Sequence, residues 1–84
     1  MPTTVDTCDV GAPYTVARIP EEDEELLRFL VNHEVIPGRE IAVKDHARYR
    51  GVIVIVVSGK DVALGYDVAS HIWVLARDGT NSRA

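Results

Sequence analysis

The sequence predicts a small, mainly β domain with some α content. We expect a barrel of five short strands, one α-helix after the first strand and a single helical turn before the last. Apolar and polar residues alternate in several short segments, as in strands with one buried face. One segment alone carries apolar residues at helical spacing. Six consecutive β-branched residues, 52–57, are too few and too branched for a helix. Five twisted strands are expected to curl into a barrel because closure leaves few exposed edges.

Length and composition indicate a single globular domain. The 84 residues are 46% hydrophobic and 26% charged, which allows a small core but no deep enclosed active site. We expect ordered structure over about residues 8–76 and a frayed tail over 77–84. The one cysteine excludes an internal disulfide, and no apolar run is long enough to span a membrane. The N-terminus has no signal-peptide pattern, so the expected compartment is the cytoplasm.

The first half of the chain predicts a strand and then the helix. Residues 1–13 are a lead-in strand or a linker, and residues 14–19 alternate, with Tyr14 and Val16 on one face. Pro20 suits the first position of a helix, and the acidic residues after it favour the helix dipole. The helix should end at residues 32–34, because Pro37 restricts the residue before it. Its apolar stripe comprises Leu26, Leu27, Leu30 and Val31, widened by Phe29.

The second half predicts four strands. Residues 39–44 alternate with Ile41 and Val43 inward, and residues 45–50 are typical of a polar loop. Residues 52–57 are apolar on both faces, so we expect a central strand buried on either side. Residues 58–59 form a hairpin turn before the strand 60–64. Asp67 can N-cap one helical turn over residues 68–71, and residues 72–75 are the last strand.

The charge pattern limits the classes of partner. The formal net charge is −4, and five of the 13 acidic residues form the run 21–25. The remaining eight acids face nine Lys and Arg residues. Because duplex DNA affinity rests on phosphate neutralisation, a domain with this balance is a poor autonomous DNA binder.

An ordered set of short motifs resembles a known family. The segments ELLRFL at 25–30, VIPG at 35–38 and IAV at 41–43 resemble the FeoA-type, SH3-like barrel domain. Gly59, the ALG segment at 63–65, Ala69 and residues 72–74 continue the match in the same order, so that it covers about residues 8–75. The form with ELLRFL before PG is most similar to the C-terminal domain of DtxR-type metal-dependent transcriptional repressors. Stand-alone FeoA proteins of ferrous iron uptake share this fold.

The resemblance implies a fold, a context and one strained position. In the repressor family a winged helix-turn-helix domain reads DNA, and a helical domain carries the dimer interface and the main Fe²⁺ or Mn²⁺ sites. Some members add an ancillary metal site through a carboxylate and an amide at the start of the helix, which correspond here to Asp23 and Leu26. Leu26 has no ligand atom, so this site is not carried over whole. The family often has glycine where Glu34 stands; a non-glycine residue at positive φ there costs about 1 kcal/mol.

The acidic run is the candidate metal site. Glu21 and Glu25, or Glu22 and Glu25, can share a helix face. Oxygen-only ligands suit Mg²⁺, Ca²⁺ or Mn²⁺, which makes Glu22, Asp23 and Glu25 weak metal candidates. A solvated helix start and a binding site for a basic partner are the alternatives.

Two charged patches are the candidate partner-binding surfaces. The first is acidic, at the helix start, and the second is a basic, aromatic-bearing tip that could also take single-stranded nucleic acid. The candidate residues are Glu21, Glu22, Asp23, Glu24, Lys44, Arg48, Tyr49 and Arg50. A proline-peptide groove formed by Trp73, Tyr14 and Tyr66 is a further alternative. A homodimer is also open, because residues 52–57 would favour self-association at a sheet edge.

Catalysis is not indicated. No two of His33, His46 and His71 lie at the spacing of a helical metal site, and Asp67, four residues before His71, is explained as a helix cap. Cys8 has no base or oxyanion hole signalled beside it, and it lies near an end expected to be loose.

The sequence therefore predicts a non-catalytic interaction domain. The preferred interpretation is the regulatory domain of a DtxR-type iron or manganese regulator, docking on the domains that bind DNA and dimerise. A stand-alone accessory protein of ferrous iron transport and a small nucleic-acid-binding barrel are the alternatives.

Overall fold

The structure is a computed structural model that describes residues 2–77. Six strands form one antiparallel sheet in the spatial order β1-β6-β2-β3-β4-β5. The elements are β1 Thr3–Thr4, β2 Pro13–Arg18, α1 Glu24–Asn32, β3 Glu40–Ala47, β4 Val52–Val57, β5 Lys60–Gly65, α2 Tyr66–Ala69 and β6 Trp73–Ala76, with 3-10 turns at Val5–Thr7 and Arg48–Arg50. The tail expected to fray lies almost entirely outside the described residues.

The predicted fold class is confirmed, with two differences in the sheet. The described chain is mainly β, with α1 after the first long strand and the short α2 before the last strand. The strand count is six rather than five, because Thr3 and Thr4 pair with Val74 and Trp73. The sheet is not closed by a ladder: β1 and β5 are its edges. The Val5–Thr7 turn packs against α2, and the Val5 amide donates to the Ile72 carbonyl at 3.0 Å.

Strand β4 lies inside the sheet, between β3 and β5. Its inward residues Ile53, Ile55 and Val57 are fully buried, while Val52, Val54 and Val56 on the other face are only partly buried. The prediction of a strand buried on both faces is therefore wrong for the outer face, which no second layer within residues 2–77 covers completely. The idea of self-association through an exposed β4 edge is also wrong, since both of its edges are paired.

Helix α1 begins later than predicted. It starts at Glu24 rather than Pro20, because Asp23 is a better start signal than the proline. The Asp23 carboxylate accepts hydrogen bonds from the amides of Glu25 at 3.1 Å and Leu26 at 3.2 Å, which satisfies two otherwise unpaired donors. The helix ends at Asn32, as predicted.

The buried face of α1 is narrower than its apolar stripe. Leu30 is fully buried, and Leu26 and Leu27 pack against the core. Val31 is half-exposed, so it lies off the buried face despite its apolar character. Phe29 also reaches solvent, and its ring lies 4.5 Å from the His33 ring.

Two boundaries in the second half differ from the prediction. Strand β3 continues to Ala47 because a register shift between Val43 and Asp45 lets the ladder with β4 resume, so only Arg48–Arg50 leaves the sheet. Helix α2 starts at Tyr66 with Gly65 as its cap, and Asp67 lies inside the first turn rather than capping it. The Asp67 carbonyl instead accepts from the Ser70 hydroxyl at 2.8 Å.

Two non-glycine residues of the described range 2–77 adopt left-handed backbone conformations. Glu34 has φ +65°, as the resemblance suggested, and Ser58 has φ +51° next to Gly59 at +78°. Positive φ at both central residues suits the two-residue hairpin between β4 and β5. The side chains of Glu34 and Ser58 meet Arg39 in one cluster, which we call the Glu34 network. Glu34 Oε1 lies 2.6 Å from Arg39 Nη1 and accepts from Ser58 Oγ at 2.7 Å.

Candidate interaction surfaces

The acidic helix start is exposed, and part of it is already used to build the helix. Residues Glu21–Glu25 are all exposed, with Asp23 as the N-cap and Glu24 and Glu25 in the first turn, where they face the positive end of the helix dipole. Glu21 and Glu22 precede the helix and form no ion pair within residues 2–77. They are therefore the members of the run with the most freedom to meet a partner.

The structure does not assemble a metal site from these residues. Residues 2–77 contain no group of three His, Cys, Asp or Glu side chains that could hold a metal ion. The ancillary pair implied by the family resemblance does not fit, because Leu26 turns toward the core and Asp23 caps the helix. Metal binding by Glu22, Asp23 and Glu25 stays a prediction.

A cleft lies beside the acidic start, where the chain leaves β2 and enters β6. We call it the Trp73 cleft; its volume is about 410 Å³. It is lined by Arg18, Ile19, Pro20, Glu21, Glu22, His71 and Trp73. Trp73 is 39% exposed, so its indole offers an apolar surface next to two carboxylates. This combination of an aromatic wall and an acidic rim can bind a group that is both apolar and cationic.

The basic tip is smaller than the sequence suggested. Arg48, Tyr49 and Arg50 form the turn after β3, and Tyr49 is 88% exposed. The Arg48 guanidinium lies 5.2 Å from the centre of the Tyr66 ring, a cation–π contact. Lys44 does not join this turn, because its ammonium pairs with Asp61 at 2.7 Å across the sheet. The hydrogen bond from Lys44 to Asp61 also raises the pKa of the lysine.

Helix α2 connects the two surfaces. Its first residue, Tyr66, lies under Arg48 of the basic turn. The next residues, Asp67 and Val68, line with His71 a second cleft of about 260 Å³ that shares Glu22 with the Trp73 cleft. Residues of this helix and of the turn after it therefore contact both the basic turn and a cleft at the acidic start.

His46 has a structural role that the sequence did not reveal. Its Nε2 lies 2.7 Å from the Cys8 carbonyl oxygen, and its Nδ1 lies 3.1 Å from the Tyr66 hydroxyl. The ring thereby joins the segment around Cys8 to the start of α2. No local pattern could have revealed this role, since the two partners lie 38 and 20 residues away along the chain.

Cys8 is part of the core, so the expectation that it lies at a loose end is wrong. It is 3% exposed, and its sulfur lies 3.5 Å from the Thr4 carbonyl oxygen. Burial raises the pKa of the Cys8 thiol to about 11, which keeps it protonated and unreactive at neutral pH. The environment is that of a packing residue rather than a nucleophile.

The three aromatic residues of the proposed peptide groove are separated. Tyr14 is buried, and its hydroxyl accepts from the Asp9 amide at 3.1 Å. Tyr66 lies beneath Arg48, whereas Trp73 lines clefts that include neither tyrosine. The predicted groove between them is therefore not formed. Separately, none of the helices within residues 2–77 is long and apolar enough to cross a membrane.

The whole described fold matches one family. Residues 3–76 match the family model described as "FeoA domain". The chain belongs to the FeoA domain family. The six-stranded antiparallel sheet, the helix after the first long strand and the short helix before the last strand are thus the architecture of a FeoA domain.

Solved structures place this FeoA domain near two kinds of protein. It is similar to a manganese-dependent transcriptional repressor in complex with manganese, at 29% identity and a TM-score of 0.82 over 89% of this chain and 36% of that one. A second manganese-dependent transcriptional repressor is 27% identical, with a TM-score of 0.83, over 89% of this chain and 41% of that one. An iron uptake regulatory protein, FeoA, is 25% identical, with a TM-score of 0.76, over 89% of this chain and 96% of that one. The domain thus spans little more than a third of the repressors' length and almost all of the FeoA protein's. No curated protein sequence matches the chain.

Proposed function

We propose that this FeoA domain is a non-catalytic, cytoplasmic interaction domain, the C-terminal regulatory part of a DtxR-type iron- or manganese-dependent transcription regulator. The observation that carries the proposal is the similarity to a manganese-dependent repressor at 29% identity over 89% of the chain. In this role the domain docks on the regulator's other domains, which bind DNA, dimerise and hold the metal. DNA is contacted only through those domains, because this one lacks the positive charge that duplex binding needs.

Docking regulates only if it is selective. The FeoA domain must bind one conformation of the other domains more tightly than the other conformation, since equal affinity shifts no equilibrium. The acidic start and the basic turn suit this task, because opposite charges on one surface fix the orientation of a partner. Exposed ion pairs contribute only about 0–1 kcal/mol each, which is enough to bias a balanced equilibrium without locking it.

The test uses the complete regulator and its operator DNA. Binding is measured by fluorescence anisotropy at increasing Mn²⁺ or Fe²⁺, for the full chain, a chain without the FeoA domain, and a full chain carrying Glu21→Lys and Glu22→Lys. We expect the metal concentration for half-maximal DNA binding to shift by about threefold to tenfold in both altered chains, as about 1 kcal/mol of coupling implies.

The matched control carries Asp9→Lys and Asp45→Lys, which change the net charge by the same amount at two exposed positions outside the candidate partner-binding residues. This variant should bind DNA with the metal dependence of the original chain. A full gene product without a winged-helix domain, or unchanged metal-dependent DNA binding after removal of the FeoA domain, would refute the proposal.

A second function is favoured by a specific observation. The domain spans 96% of the FeoA iron uptake regulatory protein, so a stand-alone accessory role in ferrous iron transport is the competing proposal. Such a protein would dock on the cytoplasmic face of an iron permease. Co-purification of the tagged FeoA domain with a membrane GTPase encoded beside it would favour this role over the repressor role, and a gene encoding an upstream DNA-binding domain would exclude it.

A further inference from the structure

The two charged surfaces of the domain are complementary to each other. The Trp73 cleft presents Glu21 and Glu22 beside an exposed indole. The basic turn presents an 88% exposed tyrosine between two arginines. Each surface therefore has the chemistry that the other would bind, an aromatic contact flanked by opposite charges.

The size of the cleft suits the turn. At about 410 Å³ it falls within the range of about 300–1,000 Å³ in which pockets take small organic groups. Tyr49 is the most exposed large apolar side chain of residues 2–77 and can enter such a cleft without a change in the fold. Tyrosine and arginine are also residue types that dominate the binding energy of protein interfaces.

The placement of the two surfaces allows a reciprocal contact. Both lie beside α2, because Tyr66 lies under Arg48 and the cleft lined by Asp67, Val68 and His71 shares Glu22 with the Trp73 cleft. Within residues 2–77, no ion pair joins Arg48 or Arg50 to Glu21 or Glu22, so the two surfaces do not satisfy each other in one copy. A twofold axis lets each copy place its turn in the other's cleft, which forms a closed dimer.

We propose that this FeoA domain forms a twofold dimer in which Tyr49 of each copy enters the Trp73 cleft of the other, with Arg48 and Arg50 facing Glu21 and Glu22. The occupant of the cleft is thus a second copy of the same chain. This goes beyond the proposed function and does not depend on it, because a FeoA domain in either biological context can dimerise.

The experiment measures association of the isolated chain by sedimentation equilibrium. An ionic strength of about 0.1 M screens the repulsion between the two net charges but leaves contact pairs effective. We expect a concentration-dependent rise toward the dimer mass. The double variants Arg48→Glu/Arg50→Glu and Glu21→Lys/Glu22→Lys should each weaken association by tenfold or more, and an equal mixture of the two should restore it. The mixture restores it because each turn then meets a cleft of opposite charge.

A control separates this contact from a general charge effect. The variant Arg28→Glu/Lys60→Glu changes the net charge as much as Arg48→Glu/Arg50→Glu but leaves both surfaces intact, so it should still dimerise. Trp73 is the chain's one tryptophan, so its fluorescence reports on the cleft directly. Its emission should shift to shorter wavelength on dimerisation, and Tyr49→Ala should abolish that shift while leaving the melting temperature unchanged.

Three results would overturn the proposal. The chain could stay monomeric at millimolar concentration, the dimer could survive both charge-reversed pairs, or the mixture could remain monomeric. In none of these cases is the regulatory role tested, since that role is measured through metal-dependent DNA binding.

Discussion

The two ends of the β3–β4 hairpin use the same kinds of residue in opposite ways. At one end, Arg39 enters β3 and Ser58 follows β4, and both meet Glu34 in a closed cluster. At the other end, Arg48, Tyr49 and Arg50 leave β3 with their side chains exposed. Arginine is thus held in a side-chain cluster at one end, whereas at the other end the arginines are exposed and Arg48 contacts the Tyr66 ring.

The difference shows why composition alone cannot separate structural charge from functional charge. The Glu34 network holds two backbone positions in a conformation that side chains other than glycine disfavour. No residue of the basic turn has a positive φ. Gly51, which follows the turn, has φ +73°, a left-handed conformation that glycine adopts without strain. In this domain the arginine beside backbone strain is hydrogen-bonded within the chain, whereas those beside the exposed Tyr49 form no ion pair within residues 2–77.

The largest effect on stability is expected in strand β4, which runs between the two ends of the hairpin. Ile55→Ala should lower the free energy of unfolding by about 2–5 kcal/mol, because it opens a cavity at a fully buried position. Val54→Ala, on the partly exposed outer face of the same strand, should cost much less. Urea unfolding of both variants measures the difference. Equal decreases in the free energy of unfolding would mean that the outer face of β4 is buried as completely as the inner face.

The next largest effect on stability is expected at His46. His46→Ala removes contacts to the Cys8 carbonyl and the Tyr66 hydroxyl, each expected to contribute about 1 kcal/mol. Local opening should then expose Cys8, whose burial keeps its thiol pKa near 11. We expect about tenfold faster labelling of Cys8 by a thiol reagent at pH 8, or more.

Tyr49→Ala serves as the control for that measurement, since it removes only an exposed side chain. Its labelling rate should equal that of the original chain. If His46→Ala labels no faster, the histidine does not hold the N-terminal segment in place.

A smaller effect tests the strain at the closed end. Ser58→Ala and Ser58→Gly both remove the hydroxyl from the Glu34 network, but only glycine relieves the positive φ. The alanine variant should therefore unfold about 1 kcal/mol more easily than the glycine variant. Gly59→Ala imposes the same kind of strain without breaking a hydrogen bond or crowding a neighbour, and it should cost a similar amount. Equal melting temperatures of the two Ser58 variants would show that the positive φ at this position does not lower the stability.

The smallest effect is the pH dependence of the Glu34 network. The Ser58 hydroxyl hydrogen bond, with the Arg39 charge, lowers the pKa of Glu34 below its ordinary value of 4.5. The network therefore contributes stability in full above pH 4.5 and loses it as the pH falls through the lowered pKa. The effect is small because the Arg39 and Glu34 side chains are 40% and 45% exposed.

The variant Glu34→Gln removes the carboxylate and should therefore reveal the pH-dependent part of the stability as a difference in melting temperature. The variant should melt below the original chain at pH 7, and the two should converge as the pH approaches 2. A difference that persists at pH 2 would assign the effect to packing rather than to the carboxylate.

Most of the fold could be predicted from local pattern. Alternation located β2, β3 and β5, the β-branched run located β4, and the helix exit followed from the proline at position 37. The errors occurred where short-range signals compete. Asp23 provides a better helix start than Pro20, and a register shift within β3 extends the strand through polar residues that are typical of a loop. The sixth strand was missed as a definite element because two threonines carry no periodicity.

The site could be predicted only in part, because surfaces are made by residues distant in sequence. The acidic run and the basic turn were visible as charge clusters. Their common contact with the α2 region was not, since it depends on tertiary contacts that place Tyr66 under Arg48 and bring His71 into a cleft with Glu22. Lys44 was assigned to the basic tip by proximity along the chain, whereas pairing across the sheet gives it to Asp61.

Strand β1 has a consequence for the integrity of the molecule. Within residues 2–77, the outer edge of β6 is covered by Thr3 and Thr4 alone, which pair with Val74 and Trp73. If β1 were detached, the main-chain amides and carbonyls of β6 would face water, and such unpaired backbone can pair with strands of other molecules. Two threonines thus occupy an edge at which another strand could otherwise add to the sheet.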